Sequence, residues 1–315
     1  MTAVLVTGYS GFIGSHLVER LLKLGYKVIG VDNFNDNYSK ERKLKNIESF
    51  SNDKNFISVN KDLNDCTIED FETYKIKYVI HLAGQPGVRD SWGIDFNKYV
   101  HNNITATQNL LDLLIRLNSV EKLIYGSSSS VYGNAPKLPT LEDVLPAPVS
   151  PYGVTKLAGE NLCFAYSQNY NFNFVALRFF TVYGPRQRPD MFIMKLIKKA
   201  LSDEEVVIFG DGTQKRDFTY ISDIIDGIVA AISKGSNVYN LARGETVSLK
   251  EVCLILKDLL GNIKIKFDST QKGDVHCTWG DITKSRKELD YNPSVDLYQG
   301  LVHQLNWAKE NLSWL

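Results

Sequence analysis

Cysteine is scarce in this chain of 315 residues, and its four copies are far apart in the sequence. Cys66, Cys163, Cys253 and Cys277 match neither the spacing of a zinc site nor the dense pattern of a disulfide scaffold. We therefore expect reduced, structural thiols and no metal site.

The chain also lacks an excess of either charge, because 36 lysines and arginines balance 36 aspartates and glutamates. Nucleic-acid-binding and membrane-surface proteins usually carry a basic excess. No apolar run reaches the length of a membrane-spanning helix, and residues 3–6 form a strand-like segment instead of a signal peptide. We expect a soluble, cytoplasmic protein with no nucleic-acid or membrane partner.

The composition itself is that of a globular protein, with 43% hydrophobic and 23% charged residues. The length is about twice that of a usual domain, which favours one large domain or two closely joined ones. No internal repeat or low-complexity segment is present.

Short β-rich runs alternate with helical patterns through the first 180 residues. This alternation predicts an α/β fold with a doubly wound parallel sheet, covered by helices on both faces. The runs are residues 4–6, 28–31, 56–59, 78–81, 123–125 and 174–177. Beyond Arg178 the pattern loosens and predicts a smaller, mixed α/β unit that ends in a helix with Leu297, Leu301 and Leu305 on one face.

Four helical or charged segments carry further expectations. Leucines at helical spacing predict a helix that ends near Gly25. Helices over residues 103–117 and 152–166 have apolar residues on more than one face, which indicates a dimer interface. The charged run at residues 40–43 is more typical of a solvated helix face than of a binding patch.

The strongest motif follows the first strand, where Gly8, Gly11 and Gly14 stand three residues apart. Glycines here allow a tight strand-to-helix turn and a close approach of a pyrophosphate to the helix N-terminus. Asp32 ends the second strand, where a carboxylate can accept hydrogen bonds from the adenosine ribose. Its charge would repel a 2′-phosphate, and the next residue is Asn33 and not an arginine, so NAD is favoured over NADP.

A second constellation is polar and lies later in the chain. Tyr152 and Lys156 stand four residues apart on one helix face, where the ammonium can favour the phenolate. Upstream, a strand ends in four serines at residues 127–130, at the sheet edge where ligands bind in doubly wound folds. The tyrosine is a candidate general base.

These motifs, together with His81-Leu82-Ala83-Gly84 and their order, resemble the extended short-chain dehydrogenase/reductase family over nearly the whole chain. Within it the sequence is similar to NAD-dependent nucleotide-sugar 4-epimerases. The resemblance implies a Rossmann domain at residues 1–180 with a returning segment at about 217–242, and a nucleotide-sugar-binding domain at 181–216 and 243–315. It also implies a tightly bound NAD, regenerated in each cycle, and a homodimer.

The resemblance assigns the site residues by position. Ser128, Tyr152 and Lys156 match the catalytic residues, with Tyr152 as the base. The residues expected to bind the cofactor are Gly8, Gly11, Phe12, Ile13, Gly14, Asp32, Asn33, Asp62, Leu63, Leu82, Ala83, Gly84, Tyr152 and Lys156.

Related chemistries differ at the serine run. Nucleotide-sugar 4,6-dehydratases carry an Asp-Glu pair where this chain has Ser129 and Ser130, and UDP-glucuronate decarboxylases carry a glutamate at the position of Ser130. Serines cannot replace those acids, so the resemblance favours epimerisation, which needs only the base and the cofactor.

The segment from Arg178 to Met191 is most similar to UDP-glucuronate 4-epimerases. A substrate carboxylate needs several donors, and Arg188, Thr181, Ser129 and Ser130 would supply a charge-assisted set. Since a 4-keto-glucuronate is prone to lose CO2, such a clamp would hold the carboxylate in an unproductive orientation. The alternatives for Arg188 are contact with the UDP phosphates or a surface pair with Asp190.

The rest of the substrate site is implied by the same resemblance. Arg89 and Arg216 are expected near the substrate, with Arg216 on a phosphate and Asp274 on the uridine ribose. Thr278 is expected beside the sugar. Its small side chain leaves room for bulkier substituents, so an N-acetylhexosamine substrate remains an alternative. Gln271 stands where UDP-glucose epimerases commonly have arginine. UDP-glucose 4-epimerisation and a non-catalytic NAD-binding protein remain as alternatives.

Overall fold

A computed structural model describes residues 1–261, 263–269 and 273–315. The strands are β1 Ala3–Thr7, β2 Lys27–Val31, β3 Phe56–Val59, β4 Ile76–His81, β5 Lys122–Ser128, β6 Asn173–Phe179, β7 Thr181–Tyr183, β8 Val206–Phe209, β9 Lys215–Arg216, β10 Phe218–Tyr220, β11 Asn237–Leu241, β12 Val247–Ser248 and β13 Ile265–Asp268. The α-helices are α1 Phe12–Lys23, α2 Lys40–Ile47, α3 Phe96–Tyr99, α4 Ala106–Leu117, α5 Pro151–Asn169, α6 Phe192–Leu201, α7 Ile221–Ser233, α8 Leu249–Leu260, α9 Thr283–Leu289 and α10 Leu297–Glu310.

Seven of these strands form one sheet in the order β11-β6-β5-β4-β1-β2-β3, and every neighbouring pair is parallel. All six predicted runs lie in its strands, so the prediction of a doubly wound parallel sheet is confirmed. The strand order reverses at β1 and β4, and ligands of such sheets bind beside the carboxyl ends of the strands at this point.

Helices cover both faces of the sheet, and alternate side chains of each strand point to opposite faces, so each strand can contribute to two cores. Val4 and Val6 of β1 join a core that includes residues of α1 and α7, whereas Leu5 joins a second core with residues of α4 and α5. In α1, Leu17 and Leu21 are fully buried, and Gly25 follows the helix with a φ of +82°.

The helix expected at residues 103–117 begins earlier. Helix α3 continues through a π-helical stretch, Val100–Thr105, into α4. The wider turn of the π-helix shifts the spacing of apolar residues, so the regular pattern is readable only after it. The predicted helix at 152–166 is α5, which extends from Pro151 to Asn169.

The interpretation of residues 40–43 as a solvated face is wrong for two of the four side chains. Lys40 and Glu41 are exposed, but Arg42 and Lys43 are only 2% and 4% exposed. Arg42 Nη2 donates to the carbonyl of Gln187 at 2.6 Å, and Lys43 Nζ donates to Asn35 Oδ1 at 2.6 Å. Neighbouring oxygen atoms thus accept hydrogen bonds from Lys43, whereas Arg42 Nε and Nη1 are buried without a partner among the described residues.

A third hydrophobic cluster lies outside the two sheet cores. It contains Ile193 and Leu196 of α6, Ile208 of β8, Leu256 of α8 and Leu301 of α10. This cluster gives the later part of the chain a core of its own, while β11 returns to the large sheet. The domain boundaries given above stay a prediction.

Two further features of the described residues concern expectations from the sequence. The four cysteines are free thiols, and Cys163 and Cys253 are buried. Among the helices of the described part of the chain, none is both long enough and apolar enough to cross a membrane.

Candidate active site

The glycine-rich turn joins β1 to α1 at the strand-order reversal. Gly8 has a φ of +73°, which favours glycine. A Cβ on Gly14 would lie 2.1 Å from the carbonyl oxygen of Gly8, so the turn can close only with glycine at position 14. Gly11 is the N-cap of α1 and provides no side-chain hydrogen bond. The first amide groups of the helix are therefore left for a ligand.

Space for a phosphate is present above the turn. A Cβ on Gly11 would meet Gly8 O at 3.2 Å and Tyr38 Oη at 3.9 Å. The Tyr38 hydroxyl is itself buried and has no hydrogen-bond partner among the described residues. An open cradle, uncapped amides and an unpaired hydroxyl together fit the pyrophosphate of a dinucleotide.

Asp32 lies at the ribose end of the same cavity and is 9% exposed. Its Oδ2 accepts a hydrogen bond from Ser10 N at 3.0 Å, and its Oδ1 accepts one from Phe34 N at 2.9 Å. These amides fix the carboxylate, and each oxygen keeps a second lone pair for a ribose hydroxyl.

Asn33 and Asp62 close the adenosine end of the cavity. Asn33 Nδ2 donates to Asp62 Oδ2 at 2.7 Å, and the Asn64 amide donates to Asp62 Oδ1 at 2.9 Å. Burial raises the pKa of Asp62, but these hydrogen bonds outweigh it and lower the pKa overall. Asp62 is therefore held as a carboxylate.

The loop after β4 is fixed by a buried histidine. Thr7 Oγ1 accepts a hydrogen bond from Ala83 N at 3.1 Å and lies 2.7 Å from His81 Nδ1, while His81 Nε2 lies 3.0 Å from Thr107 Oγ1. Burial lowers the pKa of His81 to about 3, so the ring is neutral. Since Thr107 donates to Asn103 O, the network assigns Nε2 as the protonated nitrogen of His81.

Tyr152 enters the cavity from the first turn of α5. Ser150 Oγ caps this helix by accepting from Gly153 N at 3.1 Å, and Pro151 occupies its first turn. Burial raises the pKa of Tyr152 overall, while a hydrogen bond with the Ser128 hydroxyl and the charge of Arg188 oppose this effect. Two groups beside the phenol therefore favour the phenolate.

Lys156 follows one helical turn later and lines the same cavity. Its ammonium lies 4.4 Å from the ring centroid of Tyr125, in a cation–π contact. Burial lowers the pKa of Lys156 to about 8, and the charge of Glu160 opposes this shift. The lysine thus remains cationic at neutral pH.

The serine run crosses from β5 into a short 3₁₀ turn, Ser129–Val131. Ser128 Oγ accepts a hydrogen bond from Ser130 N at 3.2 Å, which leaves its own proton for Tyr152 or a ligand. Behind it, Ser127 Oγ donates to Glu160 Oε2 at 2.7 Å. The run is thereby anchored to α5, the helix that carries Tyr152.

Arg188 also lines the cavity and forms a bidentate pair with Asp190. Its Nε and Nη2 donate to the two Asp190 carboxylate oxygens at 3.0 and 2.8 Å. The Arg188 side chain is 22% exposed and that of Asp190 is 54% exposed. The Arg188–Asp190 pair, one of the alternatives for Arg188, is therefore present. Its arginine nevertheless lines the cavity.

All fourteen residues predicted to bind the cofactor line this one cavity. Of the predicted substrate residues, Arg188 lines it, and Ser128 is hydrogen-bonded to a lining residue. Ser129 and Ser130 follow the end of β5, and Thr181 follows the end of β6, the neighbouring strand in which Phe179 pairs with Ser128.

The other predicted substrate residues form a second group, outside this cavity. Arg89 Nη2 donates to Asp274 Oδ2 at 2.7 Å, and the Arg89 guanidinium lies 4.5 Å from the Phe209 ring centroid. Burial lowers the pKa of Arg216, while the charge of Asp274 raises it. The structure thus brings Arg89, Arg216 and Asp274 together.

Thr278 is linked to this group through Lys215. Its amide donates to Lys215 O at 3.1 Å, and its buried hydroxyl has no hydrogen-bond partner among the described residues. The expectation for Gln271 falls outside the described residues.

Several polar residues at the cavity were missed by sequence reasoning, among them Tyr38, Lys43 and Asn103. The Asn103 side chain accepts from Gln85 N at 2.7 Å and donates to Thr155 Oγ1 at 2.9 Å, which joins the loop after β4 to α5. Asn103 stands among other polar residues, such as His101 and Asn102, so the sequence does not single it out. Tyr38 lies in an irregular loop, where no helical or strand pattern points to it.

The family described as NAD dependent epimerase/dehydratase matches residues 4–242 of the chain. Among curated proteins, the UDP-glucuronate 4-epimerase of Thermodesulfobacterium geofontis (strain OPF15) is 42% identical over 317 residues, which cover 98% of this chain and 96% of the relative. The uncharacterized UDP-glucose epimerase YtcB of Bacillus subtilis (strain 168) is 42% identical over 308 residues, with 96% of each chain covered.

The fold is also similar to a solved structure. The crystal structure of UDP-glucuronic acid 4-epimerase from Bacillus cereus, in complex with UDP-glucuronic acid and NAD, matches with a TM-score of 0.94 and 43% sequence identity. The match covers 98% of this chain and 100% of that one.

Proposed function

The chain belongs to the NAD dependent epimerase/dehydratase family, and from this premise we propose that it interconverts UDP-glucuronate and UDP-galacturonate by NAD-dependent 4-epimerisation through a 4-keto intermediate. One observation carries the proposal. A partly buried tyrosine, hydrogen-bonded to Ser128 and followed one turn later by Lys156, lines the cavity that all the predicted cofactor residues share.

Fourteen residues of the cavity are proposed to hold NAD, with Gly11 and the N-terminus of α1 at its pyrophosphate and Asp32 at a ribose. The chemistry that NAD would supply there is reversible hydride transfer at C4 of the sugar. Lys156, cationic and one turn from Tyr152, is proposed to orient the nicotinamide ribose.

Tyr152 is proposed to remove the proton of the 4-hydroxyl group as a general base and to return it after the sugar reorients. Ser128 is hydrogen-bonded to the phenol and supports this role. It keeps the phenol oxygen of Tyr152 in position and donates to the negative charge that develops on it. The hydrogen bond with Ser128 and the charge of Arg188 both lower the pKa of Tyr152 against the effect of burial.

The proposal that the substrate is a uronate rests on the residues of the cavity wall near Tyr152. Arg188 is a cation on that wall, and Thr181, Ser129 and Ser130 lie on neighbouring segments. We propose that these four hold the C5 carboxylate by charge-assisted hydrogen bonds. Residues 129 and 130 carry no acid that could catalyse dehydration or decarboxylation.

The group around Arg89 is proposed to bind the UDP moiety. Arg89 and Arg216 supply two guanidinium groups for the diphosphate, and Asp274 beside them supplies an acceptor for the uridine ribose. Thr278 Oγ1 is buried without a partner among the described residues and is proposed to face the sugar.

The homodimer is likewise a proposal. It rests on exposed apolar side chains of α5, among them Val154 and Phe164, which are 47% and 46% exposed. The cytoplasmic location stays a prediction.

The test is incubation of the purified protein with UDP-glucuronate, without added cofactor, and identification of the products by NMR. We expect UDP-galacturonate with little pentose product, because NAD remains bound and the carboxylate is held. Tyr152→Phe should lose about 10²- to 10⁴-fold in turnover while it still binds UDP, which isothermal titration calorimetry measures.

Tyr170→Phe is the matched control, since Tyr170 is 46% exposed and lies outside the cavity. A protein that keeps its NAD but forms no UDP-galacturonate contradicts the proposal. Formation of UDP-galactose from UDP-glucose, with no reaction of UDP-glucuronate, would support Tyr152 as the base but show that the proposed substrate is wrong.

A further inference from the structure

The pairing of Arg188 with Asp190 uses one particular edge of the guanidinium. The contacts run from Nε and Nη2 to the two carboxylate oxygens, at 3.0 and 2.8 Å. A guanidinium has a second edge, formed by Nη1 and the other hydrogen of Nη2, which can hold another carboxylate in the same bidentate way. Among the described residues no hydrogen bond is made by Nη1 of Arg188.

The pair also fixes the charges of both groups. Burial opposes the charge on Arg188, but the hydrogen bonds and charge of Asp190 raise the pKa of Arg188 overall. Burial likewise opposes the carboxylate, but Arg188 lowers the pKa of Asp190 overall. The two side chains therefore remain a charged pair, and Arg188 lines the same cavity as Tyr152.

The backbone of this loop is held by other contacts. Gln187 Nε2 donates to Val182 O at 3.0 Å, Gln304 Nε2 donates to Gln187 Oε1 at 2.8 Å, and Arg42 donates to Gln187 O at 2.6 Å. Arg186 on the same loop pairs with Glu19 of α1 at 2.7 Å. Loss of the Asp190 carboxylate should thus release the Arg188 side chain and leave the loop in position.

We propose that Asp190 is a positioning residue that aims the Nη1–Nη2 edge of Arg188 at the substrate carboxylate and thereby limits decarboxylation during epimerisation. This inference rests on the proposed function. Asp190 acts through Arg188, because Arg188 lines the cavity and Asp190 does not.

The side reaction that Asp190 limits is chemically simple. In the 4-keto-uronate, the bond between C5 and the carboxylate carbon breaks, CO2 leaves, and the electron pair remains on C5 as the enolate of the 4-ketone. Proton uptake at C5 then gives a 4-keto-pentose. The step follows oxidation at C4 and needs no further oxidant. It requires the breaking bond to lie perpendicular to the carbonyl plane, so a carboxylate held away from that direction is protected.

The experiment measures the ratio of pentose products to UDP-galacturonate by NMR in wild type, Asp190→Asn and Asp190→Ala. Asparagine keeps the size but offers one acceptor in place of two, so it cannot hold both Nε and Nη2. We expect the ratio to rise about tenfold, which corresponds to about 1.4 kcal/mol, and KM for UDP-glucuronate to rise with it.

Two further variants separate positioning from general damage to the loop. Glu19→Gln removes the Arg186 pair of the same loop and should leave the product ratio unchanged. In an Arg188→Ala background, Asp190→Asn should add nothing to the ratio, because Asp190 acts through Arg188.

Each contradicting result identifies which of the two proposals is wrong, the function or the positioning role of Asp190. A wild-type protein that forms no UDP-galacturonate overturns the proposed function. If the wild type epimerises UDP-glucuronate but both Asp190 variants keep its product ratio, the positioning role is wrong. That role is also wrong if Glu19→Gln raises the ratio as much as Asp190→Asn, or if Asp190→Asn raises it further without Arg188.

Discussion

Glu160 and Arg178 form a bidentate ion pair directly behind the serine run, with Arg178 Nε 3.2 Å from Glu160 Oε2 and Nη2 2.5 Å from Oε1. The side chain of Arg178 is 4% exposed and that of Glu160 is 6% exposed. Ser127 donates to the same carboxylate, and Glu160 lies one helical turn after Lys156. The pair thus joins β5, β6 and α5, and two of these elements carry Ser128 and Tyr152.

Removal of one partner of this pair should destabilise the protein strongly. Glu160→Gln leaves the Arg178 charge buried without its counter-ion, and breaking such a pair costs about 3–5 kcal/mol of unfolding free energy. Urea unfolding measures this loss. The exposed pair of Lys77 and Glu121 is the matched control, and Glu121→Gln should change stability by less than about 1 kcal/mol. Equal effects of the two variants would contradict the role given to the buried pair.

Ser128→Ala should move the pH dependence of turnover upward. The hydrogen bond from Ser128 lowers the pKa of Tyr152, so its removal raises that pKa and makes the phenolate harder to form. The acid limb of the kcat profile should therefore shift to higher pH, by a measurable fraction of a unit or more. A limb that stays in place, or moves to lower pH, would show that Ser128 does not tune the tyrosine.

Arg188→Ala should harm uronate substrates selectively. It removes the proposed partner of the carboxylate, so kcat/KM for UDP-glucuronate should fall by at least about tenfold more than kcat/KM for UDP-glucose. Both substrates should share any loss that arises from the higher pKa of Tyr152, because Arg188 also lowers that pKa. Equal losses for the two substrates would make the carboxylate clamp wrong.

Folding stability should fall as the pH is lowered from about 6.5 towards 3. Burial holds the pKa of His81 at about 3, whereas an unfolded histidine titrates near 6.5, so the unfolded chain binds a proton in this window that the native chain does not. This contributes about 1.4 kcal/mol of lost stability per pH unit. His16, with a pKa lowered to about 4 chiefly by burial, adds to the slope.

Urea unfolding of His81→Gln across this range should show a smaller slope than the wild type. His276→Gln is the matched control, because His276 is exposed, and it should keep the wild-type slope. A His81 variant with the full slope would mean that its ring is not buried as a neutral group.

The sheet could be predicted from the sequence because its signals are local. Runs such as residues 28–31 are short and apolar, and the glycine turn with Asp32 follows directly from strand and helix boundaries. The cofactor cavity follows from the same elements, since the carboxyl ends of parallel strands meet at one edge.

The surroundings of Arg42 could not be predicted, because they depend on contacts between distant segments. Its guanidinium donates to the carbonyl of Gln187, 145 residues later in the chain, and lies 5.9 Å from the ring centroid of Trp307. The π-helical stretch near Asn103 was missed for a related reason. The Asn103 side chain bonds to Gln85 and Thr155, which lie in other segments of the chain, so the helical pattern of its own segment does not reveal these contacts.

The central claim is that the site is built for a UDP-sugar with a carboxylate at C5. The most direct test supplies equal concentrations of UDP-glucuronate and UDP-glucose to the purified protein in one tube, without added cofactor, and follows both 4-epimers by NMR. We predict that UDP-galacturonate forms first and with little pentose product. Faster formation of UDP-galactose would contradict the claim.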